Sequence, residues 1–160
     1  AQPLAEALGI SATVRADIFE HGGVFTGHPK GDDLTPAPGM TRAEILAGFP
    51  EFGLTDEITA TGWYHGGWET IMECDVRAKS VATLVEEWAA EADGETIAMV
   101  SHGTFMDRLL KALIGAPGNN GFYFYHYNTA YTRVNFLDDG RRVVHFTNQT
   151  PHLKEAAKTW

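Results

Sequence analysis

The sequence has only one cysteine, Cys74, and few basic residues, with 12 Lys and Arg against 21 Asp and Glu among 160 residues. A single cysteine cannot form an intramolecular disulfide, and this usage is typical of a reducing compartment such as the cytoplasm. The net charge of −9 would repel a nucleic-acid backbone or an anionic membrane surface. The composition therefore predicts that neither nucleic acid nor membrane is a partner.

Long hydrophobic runs are also lacking. No stretch approaches the ~20 apolar residues that a membrane-spanning helix needs. Residues 1–10 have neither the basic start nor the apolar core of a signal peptide. A chain of 160 residues suits one domain that buries roughly 70% of its unfolded surface. We therefore expect a single soluble, cytoplasmic domain over residues 1–160, with an irregular excursion at about 24–70.

A strand and a helix are predicted on the two sides of His102. Ile97–Val100 is an uninterrupted apolar run, too short for a helix, which suits a strand buried on both faces of a parallel sheet. After Gly103 the apolar residues recur with the period of an amphipathic helix. The apolar side comprises Phe105, Met106, Leu109, Leu110 and Leu113, and the polar side Asp107, Arg108 and Lys111.

The position of His102 predicts a role in binding an anion. Open α/β sheets bind ligands at the carboxyl ends of their strands, and a helix start offers free N–H groups to an anion such as phosphate. Gly103 lets the backbone approach a ligand closely, and His102 adds a donor or a positive charge. The motif by itself leaves an ordinary loop histidine as an equal interpretation.

The rest of the chain alternates predicted helices with loops that are rich in Gly and Pro. Helices are predicted at Pro3–Leu8, at Thr41–Phe49 with a Thr41/Glu44 capping box, and at Glu73–Ala92. Extended segments are predicted at Thr13–Glu20 and in a hairpin, Tyr131–Leu137 and Arg142–Thr147, around Asp138-Asp139-Gly140. Loops are predicted at Phe25–Gly39 and Glu51–Gly67, an aromatic cluster at Phe122–Tyr127, and a helical or frayed tail at Lys154–Trp160. For Trp63, Tyr64 and Trp68, packing is favoured over lining a pocket mouth.

Ser101-His102-Gly103, between a strand and a helix, resembles the second catalytic motif of the histidine phosphatase superfamily, the phosphoglycerate-mutase-like proteins. Further resemblances lie in Leu4–Gly9, in Ile18-Phe19-Glu20 followed by Gly22–Phe25 and Gly27, in Asp75-Val76-Arg77, and in Asn148 with His152-Leu153. The resemblance covers nearly the whole chain. It implies a three-layer α/β/α sandwich with a mostly parallel sheet and a C-terminal antiparallel hairpin.

One departure from the family pattern concerns the nucleophile. The family begins with a strand that ends in Arg-His-Gly, whose histidine takes the phosphoryl group, and that motif does not occur here. Glu20-His21-Gly22 matches this motif in part, with Glu in place of Arg, so His21 is a minor candidate for the nucleophile. The chain resembles the later two thirds of the family domain without its first strand. We therefore expect that this chain alone leaves apolar faces exposed. Homo-oligomerisation or a complementing N-terminal segment would cover them.

The resemblance assigns roles to individual residues. His102 and the N–H of Gly103 would bind the phosphoryl oxygens, and Glu20 would be the general acid and base if its pKa is raised. The same pocket would include Ser101 and Thr104. Arg77 would reach the phosphate or, as we favour, pair with a carboxylate on its helix. The expected ligand is a small phosphorylated substrate or inorganic phosphate.

No cofactor or metal is implied. The remaining histidines make no metal-ligand spacing with one another or with Cys74; they are His28, His65, His126 and His145. Phosphatase is favoured over mutase, because residues 25–67 are dominated by acidic, Gly, Pro and aromatic residues rather than basic ones. Two alternatives remain: a catalytically inactive module that binds a phospholigand, and a hydrolase with Ser101 as nucleophile, although no G-x-S-x-G surrounds Ser101.

Overall fold

The computed structural model describes residues 1–27, 33–92 and 94–159, in a mixed α/β chain of helices and small sheets. The chain consists of two compact units, an N-terminal unit, Ala1–Thr70, and a C-terminal unit, Ile71–Trp160. Residues 28–32 of the predicted loop lie outside the described residues, as do Asp93, where a helix was predicted to end, and Trp160 of the tail.

Two short helices of the N-terminal unit begin and end where local signals place them. Helix α1, Gln2–Leu8, ends at Gly9, whose φ of 64° is in the left-handed region that glycine adopts without a Cβ clash. Helix α2, Arg42–Gly48, has the predicted capping box: the Thr41 side chain accepts from Glu44 N, and Glu44 Oε2 accepts from Thr41 N at 2.7 Å. Both predictions are confirmed.

The strands of the N-terminal unit are short. Thr13–Val14 (β1) pairs in parallel with Gly53–Leu54 (β4), while Phe25–Thr26 (β2) pairs antiparallel with Thr35–Pro36 (β3). The predicted extended segment at Thr13–Glu20 thus forms a strand only in its first two residues.

Three aromatic rings, those of Phe19, Trp63 and Tyr64, pack together in the N-terminal unit. The Phe19 ring lies 5.5 Å from that of Trp63 and 5.3 Å from that of Tyr64, between ring centroids. Tyr64 is buried, and a Cβ added at Gly23 (φ 99°) would lie 2.0 Å from its hydroxyl oxygen. Packing is therefore the role of Trp63 and Tyr64, as predicted, whereas Trp68 is 61% exposed.

The C-terminal unit has two long helices and a hairpin. Helix α3 spans Ile71–Glu91 and helix α4 Gly103–Leu113, and both were predicted. Strands β5 (Tyr131–Phe136) and β6 (Arg142–Gln149) pair antiparallel through a turn in which Gly140 has a φ of 81°. Glu155–Ala157 forms one 3₁₀ turn of the predicted tail. The core residues that α3 and α4 contribute are Cys74, Ala78, Val81, Ala82, Phe105, Leu109, Leu110 and Leu113.

The predicted buried strand at Ile97–Val100 is wrong in this structure. Ile97 and Val100 are each 52% exposed, and the run belongs to no strand. Its backbone makes no hydrogen bond with another residue in the described part of the chain. A strand requires backbone hydrogen bonds to a neighbouring strand, and no described residue forms them with Ile97–Val100. A mostly parallel sheet is likewise not observed among the described residues, where parallel pairing involves two residues in each of β1 and β4.

The predicted polar side of α4 also needs correction. Asp107 and Lys111 are 0% exposed and Arg108 is 7% exposed, so charged residues expected at the surface are buried. Buried charges are tolerated when they are paired, and Lys111 Nζ donates to Asp107 Oδ2 at 2.8 Å. Over the described ranges, no helix is both long enough and apolar enough to span a bilayer.

Candidate functional site

His102 occupies the N-cap position of α4. Its φ of −126° and ψ of 160° are extended, while its carbonyl accepts from Met106 N at 2.8 Å and so begins the helix. The side chain is exposed and makes no capping hydrogen bond. An N-cap residue normally satisfies one of the free N–H groups of the first turn. Here the His102 ring makes no such bond, so among the described residues the imidazole is available to an anion.

The first turn of α4 is open at Gly103 and bounded by Thr104. A Cβ added at Gly103 would meet no atom within 4 Å, so a ligand can approach the backbone there. The Tyr123 hydroxyl donates to Thr104 Oγ1 at 3.3 Å. Ser101 precedes His102 and is half-buried. His102, Gly103 and Thr104 lie together because they are consecutive at one helix start.

A buried charge cluster fixes the segment that carries Tyr123. Asp107 Oδ1 accepts from Phe124 N at 2.8 Å, while Asp107 Oδ2 pairs with Lys111. The Lys111 ammonium lies 5.0 Å from the centroid of the Phe122 ring and 5.7 Å from that of Tyr123. Each of these contacts joins α4 to residues 122–124, so this aromatic segment is held against the helix on which the candidate site begins.

Arg108 extends this cluster toward α3. Its Nη1 donates to Asn120 Oδ1 at 2.8 Å and lies 3.5 Å from Asp75 Oδ1. Its Nε lies 3.3 Å from Asp107 Oδ2. The two cations of the cluster, Lys111 and Arg108, are therefore matched by two carboxylates.

Arg77 lies on α3 and is half-buried. Its guanidinium carbon is 4.4 Å from the centroid of the Phe105 ring, a cation–π contact, and its Nη2 is 3.8 Å from Cys74 Sγ. These contacts fix the guanidinium against the α3–α4 core. They leave open both predicted roles, binding phosphate and pairing with a carboxylate.

Glu20 and His21 belong to the N-terminal unit. Glu20 is half-buried, and its Oε1 accepts from His21 N at 2.7 Å. The His21 ring meets the Trp68 ring edge-on at 5.9 Å, and its Nε2 is buried without a hydrogen-bond partner among the described residues. A nitrogen that attacks phosphorus must reach the substrate, so this burial disfavours His21 Nε2 as the nucleophile.

His126 is held between the aromatic segment that contains Phe124 and strand β5. Its Nδ1 bonds Phe124 O at 2.9 Å and its Nε2 bonds Thr132 Oγ1 at 3.1 Å. Burial lowers the pKa of His126 below its usual value of 6.5, and this effect exceeds those of the Phe124 carbonyl and of Asp107, which raise the pKa. Thr132 Oγ1 also accepts from Asn148 N. His126 is therefore a structural histidine, with both ring nitrogens engaged in hydrogen bonds.

Metal ligation has no clear site in the described part of the chain. No group of three or more His, Cys, Asp or Glu residues there is arranged to hold a metal ion.

Comparison with protein-family models identifies the family. The model of the histidine phosphatase superfamily, branch 1, matches residues 1–149. The chain belongs to this superfamily. Searches of curated proteins and of solved structures return no significant match. In this histidine phosphatase superfamily member, the matched range includes Glu20 and His102 and stops before His152.

Reasoning from the sequence missed Tyr123, Asp107 and Lys111 as residues near the candidate site. The Asp107/Lys111 spacing of four residues is a recognisable ion-pair signal on a helix. Its burial depends on the aromatic residues at 122–124, which lie more than ten positions further along the chain. Only the folded chain reveals this contact.

Proposed function

We propose that this histidine phosphatase superfamily member hydrolyses phosphomonoesters through a phosphohistidine intermediate. In that reaction His102 and the N–H of Gly103 bind the equatorial phosphoryl oxygens, and Glu20 protonates the leaving oxygen and then activates water. The observation that carries the proposal is the exposed His102 ring at the open N-terminus of α4, in a chain whose family match covers residues 1–149.

The nucleophile in this proposal comes from outside the 160 residues. Arg-His-Gly does not occur in the sequence, and the burial of His21 Nε2 argues against a substitute. The histidine of a second polypeptide segment that ends in Arg-His-Gly would attack phosphorus in line. Water would then release phosphate from the phosphohistidine. Two easier steps replace one difficult step.

The same proposal includes a sheet with more strands than the two-stranded sheets of this structure. In a three-layer sandwich, Ile97–Val100 would be an inner strand that pairs with the segment carrying the nucleophile. The 52% exposure of Ile97 and of Val100, together with the absence of backbone partners among the described residues, supports this pairing. A second copy of the chain is the other source of a strand, and sedimentation of the 160-residue chain distinguishes a self-associated form from a monomer.

Phosphatase is proposed over mutase. A mutase must reorient a bisphosphate, which requires additional cations over the pocket, whereas residues 25–67 contain two Lys or Arg residues, Lys30 and Arg42. Of these, Arg42 lies on α2. That guanidinium donates to the carbonyls of Thr55 and Ile58 at 3.2 and 3.0 Å, so it is engaged in holding α2.

The test is release of phosphate from p-nitrophenyl phosphate by the 160-residue chain and by any longer product of the same gene that contains Arg-His-Gly. We expect activity in the longer product, and a ~10²- to 10³-fold loss in its His102→Ala variant, the cost of removing one donor to the transition state. His145→Ala is the matched control, because His145 is also exposed in the C-terminal unit. An inert longer product would contradict the proposal.

A catalytically inactive, phosphate-binding member of the family is the second candidate. The absence of Arg-His-Gly from the sequence favours it. It predicts that phosphate binds in a manner that depends on His102 although no preparation hydrolyses p-nitrophenyl phosphate.

A further inference from the structure

Tyr123 stands out as an exposed aromatic residue that the fold nevertheless holds in place. Tyr123 is 49% exposed, yet its hydroxyl donates to Thr104 Oγ1 at 3.3 Å. Thr104 is the second residue of α4 and lies two positions after His102. The tyrosine therefore borders the open first turn of the helix while part of its surface faces solvent.

The backbone on both sides of Tyr123 is anchored by buried groups. Phe124 N donates to Asp107 Oδ1 at 2.8 Å, and the Lys111 ammonium contacts the Phe122 ring at 5.0 Å. Asp107 and Lys111 are both 0% exposed. Exposed aromatic residues on mobile loops lack such anchors. A ring fixed in this way loses little conformational entropy when it contacts a ligand.

The cations beside Tyr123 are already neutralised. Lys111 is paired with Asp107, and Arg108 lies 3.5 Å from Asp75 and 3.3 Å from Asp107. A second anionic group on the substrate would gain no free charge from this cluster. An uncharged ring, in contrast, gains an aromatic contact of a kind worth about 0.5–1.5 kcal/mol.

We propose that Tyr123 contacts the alcohol portion of the substrate and selects phosphomonoesters whose alcohol is an uncharged ring. This inference rests on the proposed function, since it places the phosphoryl group at His102 and Gly103. The alcohol portion then extends over Thr104 toward the exposed face of Tyr123. Asp107 is a positioning residue that acts through the Phe124 backbone.

Two phosphonates test this inference, because neither can be hydrolysed and binding can be measured whether or not the preparation is active. Phenylphosphonate carries the ring and methylphosphonate does not. We expect calorimetric titration to show roughly 2- to 12-fold tighter binding of phenylphosphonate, the equivalent of one aromatic contact. Tyr123→Ala should abolish this ratio without weakening the binding of methylphosphonate.

Matched variants separate a ring contact from a structural effect. Tyr123→Phe keeps the ring and should keep the ratio. Tyr131→Ala removes a tyrosine of similar exposure, 47%, that packs on Phe146 instead, and should also keep the ratio. Circular dichroism establishes that each variant is folded.

The outcomes distinguish this inference from the proposed function. Equal binding of the two phosphonates, or a binding ratio that persists in Tyr123→Ala, would overturn the role of Tyr123. If binding is still lost in His102→Ala, the proposed phosphate site at His102 stands. Binding of both phosphonates that is unchanged in His102→Ala, or no binding at all, would overturn both.

Discussion

Removing either member of the buried pair Asp107 and Lys111 should destabilise the fold strongly. Both side chains are 0% exposed, and their 2.8 Å contact compensates two desolvated charges. Breaking a buried pair by removing one partner costs ~3–5 kcal/mol. Asp107→Leu also leaves Phe124 N without its acceptor, a further ~1–3 kcal/mol. Lys111→Met should cost less, since the carboxylate retains Phe124 N and Arg108 Nε at 3.3 Å.

Urea denaturation followed by tryptophan fluorescence measures these differences. The double variant Asp107→Leu/Lys111→Met should be more stable than Asp107→Leu alone, because it leaves no uncompensated ammonium in the interior. The exposed pair Arg141 and Asp139 is the control, and Asp139→Ala should shift the midpoint little. The reasoning fails if Asp107→Leu is as mild as the control, or if the two single effects simply add in the double variant.

Three other predictions follow from local features. Folding stability should decline as the pH falls below ~6.5, because the unfolded chain binds a proton at His126 that burial disfavours in the folded state; His126→Gln should flatten this decline in urea titrations at several pH values, and His145→Gln should not. Gly23→Ala should destabilise the N-terminal unit, since its Cβ would lie 2.0 Å from a tyrosine hydroxyl, whereas Gly48→Ala, with no atom within 4 Å, should not lower the thermal midpoint. Thr41→Ala should cost ~1 kcal/mol in urea denaturation through loss of the helix cap.

Elements with local signals were predictable from the sequence. The capping box at Thr41, the left-handed Gly9 and the turn before Arg142 each depend on residues within a few positions of one another. His102 was placed correctly at a helix start for the same reason, since the change from an apolar run to a helical period is a local pattern.

Features that depend on distant partners were not predictable. Ile97–Val100 has the composition of a buried strand, but a strand exists only where another segment pairs with it. The polar side of α4 has the spacing of a surface face, but its charges are buried where residues 120–124 contact them. The contact between Tyr123 and Thr104 likewise joins residues 19 positions apart.

The most direct test of the central claim is a titration of the ¹⁵N-labelled chain with inorganic phosphate, followed by amide chemical shifts. The account predicts that the largest shifts occur at Gly103 and Thr104, in the first turn of α4, and that His102→Ala removes them while His145→Ala does not. Shifts confined to other parts of the chain, or unchanged in His102→Ala, would contradict the assignment of His102 as a phosphate ligand.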